Sequence, residues 1–404
     1  MSRLRILTIG HPYCVAMNRA LARAAARDPE LEITLASPSY FHGDLRPIVM
    51  EPEPAGSPLR LVPIDTRLSR FIHIFRYDGA ALKALIRDGR FDVIHVWEEP
   101  YVYAGYQIAK AAQDSPARYC FRTDQNYVKR YPPPFDHFER TVLARTQGWV
   151  AGASLVYQAM LEKGFPKETG RTLNYSVDLD DFKPLSATER DAVLEELGLR
   201  PPVIGFMGRL TQAKGLDILM QAMEKVGGAR PWSLLFLGSG EYQEKLRKWA
   251  AGRGWSDRVQ VKLAKHSEVS RYLGSMDLLL APSQTMQNWR EQFGRMIIEA
   301  FACGVPVIAS DSGEIPFVMG DAGRVLPEAD VAVWARTIEQ LLESPEKRDE
   351  LKRRGLARAP LYSVTAIARQ WAECYRWLAA QPRTASSAIG AAPSSRGISF
   401  KQGI

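Results

Sequence analysis

The sequence predicts an α/β protein of two domains, each built on a doubly wound parallel sheet, and three observations carry that expectation. At 404 residues the chain is too long for a single hydrophobic core and long enough for two. Apolar strand patterns followed by turns and helices begin at Arg5 and start afresh at Val203. The strand ends deliver Gly, Arg, Lys or small polar residues to one edge, where ligands sit in open parallel sheets.

Taken in order, residues 5–9 form a buried strand and Gly10-His11-Pro12-Tyr13 the turn after it. The Ala- and Arg-rich run 17–27 reads as a helix and 32–36 as the next strand; a right-handed crossover then places the Gly10 turn at the carboxyl edge of the sheet. Residues 91–97 are another strand ending in Glu98-Glu99-Pro100, with His95 on it read as a core histidine. Between them, residues 68–77 interleave aromatic and basic side chains. The segment reads as a helix packed on the sheet with Arg70 and Arg76 in solvent, the alternative being an amphipathic segment resting on anionic lipid. Residues 118–123 are a further strand, followed by Asp124-Gln125-Asn126-Tyr127 and a proline-stiffened loop, 131–135, that suit one wall of a cleft, although a simple turn would look alike. A helix over 138–146 and a strand over 148–154 lead to the connector 174–184. Its Asp178-x-Asp180 pattern can hold a divalent cation elsewhere, but in this Pro-ended link it reads as a connector.

The second half repeats the alternation, with strands at 203–207, 233–237, 259–263 and 278–281 and helices at 216–226 and 242–252. Arg209 and Lys214, separated by a short turn after Gly208, can both reach a diphosphate, Arg by its planar fork and Lys as a point charge; solvated surface charges are the alternative. Gly238-Ser239-Gly240 closes the next strand without completing a dinucleotide fingerprint.

The stretch from Glu291 to Gly313 organises the rest. A loop ending in Gly294 leads into a helix over 295–303, which Gly304 and Pro306 stop, and a buried strand over 305–310 follows. The first-turn N–H groups near Phe293, Gly294 and Arg295 and the helix dipole suit a phosphate, with Glu291 on one side of it and Glu299 on the other. Taken alone, a first-turn acid and a half-exposed surface carboxylate would explain both glutamates. The last helix, 364–380, carries Ile367, Trp371, Tyr375 and Leu378 at helical spacing, and the Ser-, Ala-, Gly- and Arg-rich residues beyond Pro382 read as a disordered tail.

Composition narrows the partners. With 53 Lys and Arg against 45 Asp and Glu, the net charge of +8 favours polyanions, acidic surfaces or phosphorylated small molecules. No nucleic-acid motif accompanies it, which leaves nucleotide substrates and a membrane surface rather than nucleic acid. No apolar run approaches the roughly 18 residues of a membrane span, and the opening residues read as a strand, so a cytoplasmic protein is expected. Cys14, Cys120, Cys303 and Cys374 are scattered and read as reduced thiols.

Together and in this order, Phe91-Asp-Val-Ile-His95, the 174–184 connector, Gly208-Arg209 with Lys214-Gly215, Gly238-Ser239-Gly240, Ala281-Pro282-Ser283 and the pair Glu291 and Glu299 resemble the retaining glycosyltransferases often called family four. The resemblance covers nearly all of residues 1–382 and implies the GT-B fold, two Rossmann-like domains facing across a cleft. It implies an acceptor-side domain over 1–178, with the helix 364–381 packing back on it, a nucleotide-sugar-binding domain over 179–363 and a tail over 382–404. By the same resemblance Arg209 and Lys214 hold the diphosphate of a nucleotide-sugar donor with the N–H groups of Phe293 and Gly294, Glu299 binds the ribose, and Glu291 contacts the transferred sugar. Gly10, Gly208 and Gly238 shape the donor site.

It further implies retention of configuration, front-face attack with Glu291 in support, no metal or cofactor, and a lipid-linked or polysaccharide acceptor of the cell envelope at the cytoplasmic membrane face. Two departures stand out. The Gly-Gly pair of many relatives is here Gly10-His11, and a histidine after the 118–123 strand is replaced by Asp124 and Gln125, one of which takes its place on the acceptor side. The competing readings are a nucleotide-sugar epimerase or phosphorylase on the same scaffold, though no cofactor-lysine context is found, and a non-catalytic nucleotide-sugar-binding subunit. An NAD-dependent oxidoreductase lacks its GxGxxG in both halves.

Overall fold

Strands that are apolar on both faces need helices on either side, and the chain meets that need twice. The computed structural model describes residues 3–43 and 47–382. The tail expected beyond Pro382 lies outside the described residues. One sheet has seven strands in the order Gly170–Thr172, Gly148–Ala151, Arg118–Thr123, Val93–Val96, Leu4–Ile9, Leu31–Pro38, Arg60–Ile64, all parallel. The other has six, Val259–Lys262, Ser233–Leu237, Val203–Met207, Leu278–Ala281, Val307–Ser310, Arg324–Leu326, again parallel.

In each sheet the chain lays strands to one side of its first strand and then crosses to the other side. The order therefore reverses between Leu4–Ile9 and Val93–Val96, and between Val203–Met207 and Leu278–Ala281. Loops leaving the two strands at such a point diverge to opposite faces and open a crevice beyond their carboxyl ends. The two crevices hold Gly10, His11, Glu98 and Glu99 on one sheet and Gly208, Arg209, Pro282 and Ser283 on the other.

The C-terminal helix Val364–Ala379 returns to the first sheet. It packs on Ala20–Ala25 and on the strands Leu4–Ile9, Val93–Val96 and Arg118–Thr123 through Ile367, Trp371, Tyr375 and Leu378, all buried. Arg376 pairs with Asp28 and Glu30 at its rim. His95 sits beneath this helix, its Nδ1 shared between Thr8 Oγ1 at 3.0 Å and the Tyr375 hydroxyl at 3.2 Å. Burial, aided by the Arg122 charge, pulls its imidazole down to about 3, so it is a neutral core histidine.

Two local expectations are corrected. Residues 68–77 form no helix: turns run from Leu68 to Phe75, and Thr66–Arg67 pairs antiparallel with Arg76–Tyr77. Phe75 and Tyr77 alternate into the core, a strand-like spacing, while Asp78 caps the following helix, Gly79–Gly89, through Ala81 N–H. The run 17–27 is helical only over Ala20–Ala25, after two 3-10 turns. Arg19 overrides the propensity there: fully buried, its guanidinium bonds the carbonyls of Glu51 at 2.7 Å and Pro52 at 3.1 Å and pairs with Glu53.

Candidate active site

Three strand ends of the second sheet converge on one carboxylate. Lys214, in the 3-10 turn Gln212–Lys214, places Nζ 2.6 Å from Glu291 Oε2. Ser283, just past Leu278–Ala281, donates its hydroxyl to the same oxygen at 2.7 Å, and its own carbonyl accepts Ser310 Oγ at 2.5 Å. The Trp289 ring lies 4.9 Å from Lys214 Nζ and bounds the ammonium on another side. Arg209 stays exposed at the cleft and makes no ion pair among the described residues. The turns of Gly208 and Gly238 approach so closely that a Cβ on Gly238 would lie 1.9 Å from the Gly208 carbonyl oxygen.

Glu291 is followed by Gly294, left-handed at φ 85°, which turns the chain into the helix Arg295–Ala302. Phe293 is buried between the rings of Tyr175 at 5.3 Å and Tyr362 at 5.9 Å, so only its backbone is free to meet a ligand. Glu299 is 7% exposed rather than half-exposed, because the apolar helix around it is covered on both sides. That burial pushes its carboxyl above the usual range, opposed by Arg295 at 3.6 Å.

The edge of the first sheet is built differently. A Cβ on Gly10 would meet the Trp97 carbonyl oxygen at 2.6 Å, so glycine lets the two strand ends close on each other. His11 then bonds Glu98, and the neighbouring Glu99 gathers Thr123 Oγ1 at 2.7 Å, Asp124 N–H at 2.9 Å and Gln125 Nε2 at 2.9 Å. Of the two residues expected on this wall, Asp124 lines the cleft and takes Trp97 Nε1 at 3.4 Å. Gln125 does not line it: both ends of its amide are occupied, by Glu99 and by the Tyr131 hydroxyl at 2.6 Å.

Between the two edges lies a cleft of about 760 Å³ lined by Arg209, Lys214, Glu291, Gly294 and Glu299 on one side and His11, Glu99 and Asp124 on the other. The walls are tied together at one end. Asn126 Nδ2 donates to the carbonyls of Arg290 at 3.3 Å and Glu291 at 3.1 Å, Arg290 returns a bond to the Asn126 carbonyl, and Gln292 Nε2 reaches the Asp124 carbonyl at 2.6 Å. Glu314, from the second sheet's side, caps the helix Ser154–Glu162 of the first by accepting Ser154 N–H at 2.8 Å and Leu155 N–H at 2.9 Å. Sequence reasoning gave no individual role to Ser283, Asn126, Glu98, Glu99 or Glu314; the signals available were Ala281-Pro282-Ser283, the polar run after residues 118–123 and the Glu98-Glu99 pair, each at a strand's carboxyl end.

Fixed cations beside helix N–H donors, with two carboxylates flanking them, suit a ligand that carries negative charge at its centre and hydroxyl groups at its ends. Residues 189–358 match the family model described as glycosyl transferases group 1. The chain is 33% identical over 210 residues to D-inositol 3-phosphate glycosyltransferase of Segniliparus rotundus, covering 50% of this chain and 45% of that protein. It is 33% identical over 187 residues to the GDP-mannose-dependent monoacylated alpha-(1-6)-phosphatidylinositol monomannoside mannosyltransferase of Corynebacterium glutamicum, covering 45% and 49%. The chain thus spans about half the length of these relatives. Among solved structures, sucrose-phosphate synthase from Thermosynechococcus elongatus superposes with a TM-score of 0.71 at 20% identity, over 93% of this chain and 99% of that one, a likeness of fold. Residues 189–358 thus match the group 1 glycosyl transferases, and the two parallel-sheet domains share the GT-B fold of the solved neighbours.

Proposed function

We propose that the chain is a retaining, metal-independent glycosyltransferase that moves a sugar from a nucleotide-diphosphate sugar to a lipid-linked or polysaccharide acceptor. The observation that carries this reading is the convergence of Arg209, Lys214, the Gly294 helix end, Glu291 and Glu299 on one cleft. The reaction's main demand is to stabilise a departing nucleoside diphosphate, and two cations with helix N–H donors answer it without a metal. Arg209 holds the diphosphate by its fork and Lys214 by its charge, with the N–H groups of Phe293 and Gly294 behind them. Glu299 accepts the two ribose hydroxyls, and Glu291, fixed by Ser283 and Lys214, supports the transferred sugar.

In this reading residues 1–178 with the helix 364–381 form the acceptor side, residues 179–363 hold the donor, and Asp124 faces the acceptor. Among the described residues no helix is long and apolar enough to cross a membrane, so a lipid-linked acceptor is met from the membrane surface. The test is to incubate the protein with UDP-glucose or GDP-mannose and candidate acceptors, with and without EDTA, and to read the anomeric proton of the product by NMR. Retention unaffected by EDTA is expected. An inverted product, or turnover that EDTA abolishes, contradicts the proposal.

A further inference from the structure

Residues 68–77, whose aromatic and basic side chains the donor site leaves unused, form a ledge beside the cleft. Two consecutive turns are closed by Phe71 N–H on the Leu68 carbonyl at 2.9 Å and by Ile74 N–H on the Phe71 carbonyl at 3.0 Å. Turns of this kind bring side chains three residues apart to the same side, and the three that stand there are apolar: Leu68 is 48% exposed, Phe71 56% and Ile74 42%. Burial does not account for them. At Leu68 backbone preference does not either, since its φ of 59° lies in the left-handed region that a bulky side chain avoids.

The ledge is pinned from beneath. Phe75 is fully buried, edge-on to Phe41 at 5.1 Å and to Tyr77 at 5.6 Å. The His73 ring lies 5.8 Å from Tyr101 and 6.1 Å from Phe135, its carbonyl accepts Tyr103 N–H at 3.0 Å, and Tyr101 stacks on Tyr131 at 4.0 Å. These contacts fasten the ledge to the loop that follows Glu98 and Glu99 and to the loop that follows Asp124, so it belongs to the rim of the first wall.

The charges around the apolar trio have one sign. Between Thr66 and Tyr77 the chain carries Arg67, Arg70 and Arg76 and no acidic residue. All three arginines are exposed and make no ion pair among the described residues. On the neighbouring loop the exposed Val128 is followed by Lys129, likewise exposed and without an ion pair among the described residues. Apolar tips ringed by unpaired cations fit a bilayer with anionic headgroups, where the tips enter the acyl boundary and the guanidinium groups meet lipid phosphates. The net charge of +8 draws the whole chain toward such a surface.

We propose that residues 68–74 are a membrane-docking element, which seats the rim of the first wall on an anionic bilayer with Leu68, Phe71 and Ile74 inserted and Arg67, Arg70 and Arg76 on lipid phosphates. The inference deepens the transferase reading and rests on it for what the bilayer delivers, a lipid-linked acceptor arriving at the wall that holds Asp124. Docking itself is tested without a donor or an acceptor.

The experiment sediments the full chain with vesicles of phosphatidylcholine alone and with vesicles of phosphatidylcholine and phosphatidylglycerol in equal parts, at low and high salt. The wild type is expected to sediment with the phosphatidylglycerol vesicles, to stay in solution with phosphatidylcholine, and to be released by high salt. Replacing the three arginines together, Arg67→Gln, Arg70→Gln and Arg76→Gln, should weaken binding about 100-fold. Phe71→Ser should weaken it about 10-fold. Leu361→Ser, which removes an exposed apolar side chain from the turn Ala359–Tyr362, should leave it unchanged. None of these side chains is buried or lines the cleft, so thermal unfolding and the thermal shift with UDP or GDP should match the wild type in every variant. A wild type that binds neither vesicle, or binds both equally, overturns the inference, as does Phe71→Ser binding as tightly as Leu361→Ser. A wild-type dimer that Phe71→Ser dissociates, with no vesicle binding, also overturns it and gives the ledge to a second copy of the chain. In each of these outcomes a nucleotide shift that persists leaves the transferase reading standing; vesicle binding with no nucleotide shift keeps the docking element and removes that reading.

Discussion

The two walls of the cleft use carboxylates in opposite ways. On the first-sheet wall, Glu98 and Glu99 are each saturated by three donors of the protein itself, so their charge is spent on holding His11, Thr123, Asp124 and Gln125 in place. On the second-sheet wall, among the described residues, Glu291 bonds through one oxygen only, Glu299 has Arg295 alone at 3.6 Å, and Arg209 has no ion pair. A saturated carboxylate positions its neighbours; one with unused lone pairs retains the capacity to bind something else. On the proposed reading, the difference gives ligand capture to the second wall and the holding of neighbouring groups to the first.

The largest effects should come from the wall with unused capacity. Arg209→Ala and Lys214→Ala are each expected to slow nucleoside diphosphate release at least ~100-fold, the usual loss for one transition-state donor, in a steady-state assay with the saturating donor. Unchanged rates in both would break the contrast by removing its ligand side. The next effect is one of pH. Burial holds the Glu299 carboxyl above the ordinary glutamate range, so the ionised form, which on the proposed reading accepts the ribose hydroxyls, predominates only above that raised value. Nucleotide affinity should therefore begin to fall, as pH is lowered, earlier than an ordinary glutamate would allow, and Glu299→Gln should remove that dependence in a calorimetric titration. The same shift means that the folded chain binds the proton more tightly than the unfolded one. This group's contribution to stability accordingly falls as pH rises through the window between the ordinary and the raised value. The smallest effect concerns the tie between the walls. Glu314→Ala uncaps the helix Ser154–Glu162 and should cost about 1 kcal/mol in denaturant unfolding, whereas Glu314→Gln, which keeps an acceptor, should cost less.

Much of this was legible in the chain because local rules and tertiary demands agreed there. Gly304 and Pro306 end a helix wherever they stand, and strands apolar on both faces force a covered parallel sheet, so the 291–310 unit and the inner strands of both sheets could be read directly, whereas the short edge strands Arg60–Ile64, Gly170–Thr172 and Arg324–Leu326 were not read. The reading failed where a distant partner decided the outcome. Arg19, buried against the carbonyls of Glu51 and Pro52, holds its segment in 3-10 turns against its helical composition. The interleaved residues 68–77 looked amphipathic, but Phe75 and Tyr77 are drawn into the core beneath His11 and Glu98. For the site, charge types and spacing revealed the second wall, since cations after glycine turns leave a sequence mark. The first wall left only two adjacent glutamates, because what makes Glu98 and Glu99 useful is the donors brought to them from Tyr77, Thr123 and Gln125. Gln125 shows the limit from the other side: the right polar type at the right strand end, yet occupied within its own wall.

The most direct test of the central claim is a thermal-shift titration of the full chain with UDP, GDP and ADP, repeated with Glu299→Ala and Lys214→Ala. One of the nucleotides should stabilise the wild type by about 2.7 kcal/mol at a hundred times its Kd, and both variants should lose that shift at the same concentration. No stabilisation by any of the three, or a shift that both variants keep, would contradict the assignment of the second wall to a nucleoside diphosphate.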